Sequence, residues 1–241
     1  MLDELLEKLK TMPDTDKQAL VKEVENTEVG KLKWICSPGP QTEAYLSKAD
    51  LLYVGGAGGG GKSDLGLGLA FNEHQRTLIM RRKYTDLAGL TDRAIEINGT
   101  KDGFNGSPPP KLITTDGRLI EFGAALRGGD EESWQGRPHD FIYIDEAVHF
   151  AESQVRFLMG WVRSTVEGQR CRVVFGSNPP LSDEGALIIK MFAAWLDASH
   201  PNPAKSGELR WYITDAGIDY EVEGDGEFVI ENGITRRATL S

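Results

Sequence analysis

A chain of 241 residues, 39% hydrophobic and 27% charged, suits one α/β domain with some appended structure and can bury a sizeable core. Its formal net charge of −10 argues against a protein that binds nucleic acid over its whole surface, while leaving room for a local basic track. Cys36 and Cys171 lie too far apart in sequence for a disulfide framework or metal cluster, which points to a reducing compartment. His74, His139, His149 and His200 lack zinc-ligand spacing and read as surface or internally satisfied residues.

The chain opens with two amphipathic helices over 2–10 and 14–25: Leu2, Leu5, Leu6 and Leu9 keep helical spacing, and Pro13-Asp14 supplies a break and a new start. No signal peptide or membrane span is legible. Residues 33–40 form a loop with Pro38, Gly39 and Pro40, and from Leu51 the pattern alternates strand and helix. Leu51-Leu52-Tyr53-Val54 is an apolar run of buried-strand type, and 63–74, with Leu65, Leu67, Leu69, Ala70 and Phe71, is expected as a helix.

Between that strand and that helix stands Gly-Gly-Ala-Gly-Gly-Gly-Gly-Lys-Ser over 55–63, in which Gly56, Gly61, Lys62 and Ser63 match G-x-x-x-x-G-K-[ST] and enclose Gly58, Gly59 and Gly60. So many glycines also suit a flexible linker, but strand, loop and helix in that order are what a phosphate-binding loop requires. Glycines let successive backbone N–H groups converge on phosphate oxygens, Lys62 can reach the β- and γ-phosphates, and the Ser63 hydroxyl can ligate Mg²⁺. Asp64, next in line, is counted with this nucleotide-binding set.

Further along, a strand is expected over 77–81, a helix over 84–96, a loop over 98–110, and a hairpin of 112–115 with 118–122 about Asp116-Gly117. Phe141-Ile142-Tyr143-Ile144 is another apolar strand, followed by a helix over 152–163, a strand over 171–175 and a helix over 185–196. Arg81-Arg82-Lys83 is the densest basic cluster, with Arg163, Arg170 and Arg172 a second group. For both, surface ion pairs stand beside nucleic-acid contact as a reading. Residues 211–235 hold no Lys or Arg, and 220–223 with 227–230 alternates like a hairpin about Gly224-Asp225-Gly226. A Ca²⁺ loop is the competing reading there, without the EF-hand pattern.

The strand over 141–144 ends in Asp145-Glu146, the pair a nucleotide-hydrolysing site needs: an aspartate to hold Mg²⁺ directly or through water, and a glutamate to polarise the attacking water. The strand over 171–175 runs into Ser177 and Asn178. Open α/β sheets bind ligands at the carboxyl ends of their strands, so these residues should share a crevice with Asp145 and Glu146, where the Asn178 amide can touch the γ-phosphate.

Taken in order, Gln41 in a proline-containing loop, the glycine-rich phosphate loop, Leu78-Ile79-Met80-Arg81-Arg82 with Tyr84-Thr85-Asp86-Leu87 after it, Gln135-Gly136, Ile144-Asp145-Glu146-Ala147 and Ser177-Asn178-Pro179 resemble the large terminase subunits of tailed bacteriophages over 34–241. The resemblance implies an α/β P-loop NTPase of the additional-strand, catalytic-glutamate class, with a mainly parallel sheet flanked by helices. It divides the chain into a helical lead-in (1–33), the ATPase core (34–208) and a β extension (209–241) towards a nuclease domain outside this chain. It also implies ATP and Mg²⁺ as cofactors, translocation of double-stranded DNA into a procapsid, and a portal protein and small terminase subunit as partners. The expected assembly is a homo-oligomeric ring when docked and a monomer as an isolated domain, in the host-cell cytoplasm. By the same likeness Gln41 contacts adenine, Lys62 and Ser63 hold phosphate and Mg²⁺, Asp145 is the metal-site acid, Glu146 the catalytic acid, and Ser177-Asn178 the coupling motif. Where many relatives have Arg-Gly this chain has Gln135-Gly136, so the arginine that neutralises the γ-phosphate is left to Arg137, then Arg127, then Arg163. A recombination ATPase of RecA or helicase type and a slow nucleotide switch share much of this motif set.

Overall fold

The computed structural model describes residues 12–13, 31–179, 185–230 and 234–241, so the helices expected over 2–10 and 14–25 lie outside the described residues. The chain divides into two compact units, Met1–Ile35 and Cys36–Ser241. All the labelled helices and strands belong to the second unit.

That unit opens with α1 (Pro40–Leu46), whose proline sits at the start of the helix, where its fixed φ fits and no N–H is missed. Then follow β1 (Leu51–Gly55), α2 (Lys62–Asn72), β2 (Arg76–Arg81), α3 (Ala88–Asn98), β3 (Phe104–Asn105), β4 (Lys111–Ile113), β5 (Leu119–Ala124), β6 (Phe141–Asp145), α4 (Glu152–Met159) and β7 (Arg172–Ser177). They build a seven-stranded sheet in the order β1-β7-β6-β2-β5-β4-β3. The pairs from β1 through β5 are parallel, and β4 and β3 add antiparallel at one side. Every residue of β6 and β7 is buried, as expected for parallel strands covered on both faces. Since β7 separates β1 from β6, a strand is inserted between the phosphate-loop strand and the acidic strand, as the additional-strand class demands.

Helix α2 is buried from Leu65 to Phe71 and lies directly on the sheet. Its glycines make that approach feasible: a Cβ at Gly66 would stand 2.5 Å from the Tyr143 ring. On the other side the core is built from Leu78, Met80, Trp134, Ile144, Leu158, Phe175 and Phe192, among others.

Several boundaries differ from the sequence pattern. The segment expected as one helix from 84 opens as a 3₁₀ turn over Tyr84–Leu87 before α3. The helix expected to reach 163 stops at Met159, where Gly160 follows and the chain turns back so that the Arg163 N–H donates to the His139 carbonyl (2.8 Å). Phe192, with φ −117° and ψ 33°, splits the segment expected as one helix over 185–196 into α5 (Ala186–Met191) and α6 (Ala193–Leu196).

The expected hairpin of 220–223 with 227–230 is not formed. Instead β8 (Trp211–Asp215) pairs with β9 (Ile218–Val222), and β10 (Glu227–Val229) pairs with β11 (Thr235–Arg237). The turn that decides this is Ala216-Gly217, both residues at positive φ (47° and 80°), which matches the twist of a two-residue hairpin and leaves Gly224-Asp225-Gly226 as a connector. Strand β12 (Thr239–Leu240) joins β8, and the Asp50 N–H donates to the Leu240 carbonyl at 2.8 Å, binding the extension to the entrance of β1. Residues 209–241 therefore belong to the same compact unit as the sheet. Among the described residues no helix is long and apolar enough to cross a membrane.

Candidate active site

Parallel strands end on a common edge, and here the register is tight: Gly55 of β1 lies opposite Ser177 of β7, and Gly176 of β7 opposite Asp145 of β6. The glycine-rich loop leaves β1 at that edge and runs into the N-terminus of α2, whose unsatisfied N–H groups and dipole favour a phosphate. Gly59 and Gly61 hold φ of 81° and 71°, a conformation other residues adopt only with strain, so the loop path itself requires glycine.

Asp145 is the hub. Only 1% exposed, it accepts a hydrogen bond from the Ser63 hydroxyl, which lies 3.1 Å from each carboxylate oxygen, and another from the Tyr143 hydroxyl at 3.2 Å. Residues i and i+2 of a strand share a face, so Tyr143 and Asp145 both lie beneath α2, which is how Ser63 reaches the carboxylate. Tyr143 is fully buried, and burial first, then the neighbouring Asp145, pushes its phenol well above the usual range, so it stays a proton donor to Asp145. A third partner escaped the sequence reading: Arg81, at the end of β2, approaches Asp145 Oδ2 with Nε at 2.7 Å and Nη2 at 2.6 Å. Its signal was its place at the carboxyl end of a strand of the same sheet, but in the sequence it merged into the basic run Arg81-Arg82-Lys83.

Lys62 Nζ donates to the carbonyls of Gly56 and Ala57 (2.9 Å each) and to Asn178 Oδ1 (3.2 Å), so it spans the phosphate loop and the end of β7. Gln41 Nε2 donates to the Gly61 carbonyl at 2.8 Å, fixing α1 against the loop. A cleft of about 430 Å³ lies between them, lined by Pro38, Pro40, Gln41, Gly59, Gly60 and Lys62 among others, enough to seat a nucleobase and ribose beside the loop. Ser177 is fully buried and its hydroxyl has no hydrogen-bond partner among the described residues. Glu146 takes a left-handed conformation (φ 52°, ψ 48°), an arrangement that costs roughly 1–3 kcal/mol in a non-glycine residue and clusters at functional sites. Its carboxylate makes no hydrogen bond or ion pair among the described residues and sits one position beyond the hub aspartate.

Other expected site residues are placed elsewhere. The Asp64 side chain does not face the loop: rotated about 100° around α2 from Ser63, it is gripped by Arg93 of α3 through two bonds of 2.9 Å, which leaves the backbone N–H in the first turn of α2 as its contribution to the nucleotide-binding set. Arg137 lies before β6, at the opposite edge of the sheet, where its guanidinium is bound by Glu121 of β5 and stacks 4.7 Å from the Trp134 ring. Burial pushes the Glu121 carboxyl up, but the His139 hydrogen bond and charge together with Arg137 outweigh it and bring it below the usual range. Glu121 is in register with Leu78, and Leu78 with Ile142, so this pair sits three residues, about 10 Å along the strands, below the level of Asp145. Arg163 belongs to the same far edge, its guanidinium 4.5 Å from the Trp161 ring. Arg127, by contrast, follows the carboxyl end of β5, on the edge that carries the phosphate loop, and is exposed there.

No family model and no curated protein matches the sequence. Solved structures do. The HK97 bacteriophage large terminase aligns with 74% of this chain and 42% of its own, at 14% identity and TM-score 0.51. The Thermus phage P74-26 large terminase ATPase domain aligns over 76% of this chain and 82% of its own (13% identity, TM-score 0.47). The large terminase from a thermophilic bacteriophage, in complex with ATP-γ-S, aligns over 60% and 38% (16% identity, TM-score 0.44). The chain thus spans about two fifths of the length of the whole large terminases it matches. With its phosphate loop, inserted strand and acidic strand end on one edge of a mainly parallel sheet, the chain has the P-loop NTPase fold seen in the HK97 large terminase.

Proposed function

We propose that this chain is the ATP-hydrolysing part of a viral DNA-packaging motor of the large terminase kind. The observation that carries the hydrolytic reading is the contact of Ser63 Oγ with both oxygens of Asp145 at 3.1 Å, with Glu146 next in the chain. The packaging role is supported by the shared fold and the order of motifs.

In this reading the loop N–H groups of 56–61 and the start of α2 hold the triphosphate, while Lys62 exchanges a carbonyl partner for a β/γ-phosphate oxygen. A hydroxyl and a carboxylate are hard oxygen donors that suit Mg²⁺, an ion held largely through phosphates and water with only one or two protein ligands. Bound between Ser63 and Asp145, Mg²⁺ would offset the charge of the phosphate oxygens. Arg81 and Tyr143 hold the Asp145 carboxylate in place. Glu146 orients and deprotonates the attacking water, and Asn178, already joined to Lys62, registers loss of the γ-phosphate at the end of β7. Arg127, exposed on the edge that carries the phosphate loop, is the arginine we assign to the nucleotide of a neighbouring subunit in a ring. Double-stranded DNA, a portal and a small subunit are the proposed partners.

The test is the ATPase rate against protein concentration, with and without DNA and procapsids. A steep rise on assembly supports a motor that needs its neighbour's arginine. A flat, low rate that Glu146→Gln leaves unchanged refutes the hydrolytic assignment.

A further inference from the structure

At the opposite edge of the sheet from the phosphate loop lies a pocket of about 200 Å³, lined by Tyr45, Lys48, Glu73, His74, Arg170 and Arg172 among others. Arg172 opens β7 and is 2% exposed, yet its Nε and Nη2 have no hydrogen-bond partner among the described residues. These two nitrogens form the edge of a guanidinium that binds oxyanions in bidentate fashion, the same edge with which Arg93 grips Asp64. The acids nearby are committed: Asp50 accepts from Arg170 Nε at 3.1 Å, and Glu73 accepts from the Tyr45 hydroxyl at 2.7 Å. Burial first, then Arg170, brings the Arg172 pKa down to about 10, so the group is still cationic at neutral pH. A buried guanidinium without an ion pair is costly unless an anion joins it.

His74 adds a second unpartnered group. It is 1% exposed, and its Nδ1 lies 3.1 Å from Asp140 Oδ1. Asp140 Oδ2 also accepts the backbone N–H groups of Gln75 (3.0 Å) and Arg76 (3.1 Å), and the tautomer that completes this set of donors around the carboxylate is the one with Nδ1–H pointing at Oδ1. Burial, the largest influence, holds the ring below the usual histidine range, and the neutral ring leaves Nε2 as a buried acceptor without a donor among the described residues.

We infer that this pocket binds a protonated phosphate, Arg172 donating through Nε and Nη2 to two of its oxygens and His74 Nε2 accepting from its P–OH group. An acceptor at that position separates oxyanions by chemistry. Hydrogen phosphate and a phosphate monoester can supply the proton, whereas sulfate and the diester of a nucleic-acid backbone cannot. The inference does not depend on the nucleotide reading, since the two sites occupy opposite edges of the sheet.

The test follows thermal unfolding of the full chain in the Lys62→Ala background, so that phosphate binding at the glycine loop does not contribute. Inorganic phosphate at about tenfold excess over its Kd should raise Tm by roughly 3 °C, with sulfate giving far less. Arg172→Leu, which removes an uncompensated buried charge and should fold, should abolish the phosphate shift. His74→Phe, which keeps the stacking on Phe141, should make phosphate and sulfate equivalent. Short duplexes with and without a 5′-phosphate then separate the sources: a shift with the phosphorylated duplex alone assigns a nucleic-acid terminus, and no shift with either assigns free phosphate. Equal shifts with phosphate and sulfate in otherwise wild-type pockets, or a phosphate shift that survives Arg172→Leu, overturn the inference.

Discussion

Gly176→Ala should damage this sheet severely. A Cβ at Gly176 would stand 1.9 Å from the Tyr143 hydroxyl and 2.8 Å from the ring carbon that bears it. Ordinary contact begins near 3.4 Å, so the hydroxyl must retreat about 1.5 Å. It has nowhere to go: the ring is fully buried, and on its other side α2 approaches so closely that even a Cβ at Gly66 would lie 2.5 Å from it. Overpacking of this kind costs about 1–3 kcal/mol. Pulling the hydroxyl off the Asp145 carboxylate, now 3.2 Å away, forfeits a hydrogen bond to a charged group, about 1.5–3 kcal/mol more. The sum, about 4 kcal/mol, corresponds to a Tm lower by roughly 8–16 °C in a chain of this size. Scanning calorimetry measures it, and a cycle with Tyr143→Phe tests the cause, because removing the hydroxyl relieves the worst contact and the double variant should recover at least about 1 kcal/mol relative to additivity. A Gly176→Ala protein within about 0.5 kcal/mol of the parent, or strictly additive variants, would refute the reasoning.

Glu146→Gln should retain ATP binding while hydrolysis falls by at least about 100-fold, the usual contribution of a positioned general base, as read from nucleotide binding and phosphate release side by side. Arg81→Met removes one partner of the buried Asp145, 2% exposed on its side chain, and should destabilise by about 3 kcal/mol, the low end for a broken buried pair because Arg81 is itself 25% exposed. Urea unfolding gives that value, and a loss below about 1 kcal/mol would mean the pair is not structural. For Glu121 the folded pKa lies below the unfolded one, so its contribution is complete above the ordinary carboxylate range and is lost as pH falls through the depressed value. Glu121→Gln should therefore flatten the decline in Tm below about pH 4.5, and an unchanged acid limb would contradict the pairing with His139 and Arg137. Arg127→Ala should leave the rate of the dilute monomer unchanged and suppress the rise on assembly, whereas Arg163→Ala should alter neither the monomer rate nor the rise.

By itself the sequence determined what depends on local spacing. Short apolar runs gave β1, β6 and β7, G-x-x-x-x-G-K-S gave the phosphate loop, and Asp145-Glu146 announced itself by standing at a strand end. Those signals are local because a loop that cradles phosphate and a strand buried on both faces each constrain consecutive residues. What pairs with what was decided only in three dimensions. Ala216-Gly217 outcompeted Gly224-Asp225-Gly226 as a hairpin turn because its two positive φ angles match the twist of β8 and β9. Asp64 and Ser63 are neighbours in sequence but not on the surface of a helix, so one reaches Arg93 and the other Asp145. Arg81 and Arg137, equivalent as charges, ended at opposite edges because strand direction, which composition does not encode, sets the end of the sheet at which each residue emerges.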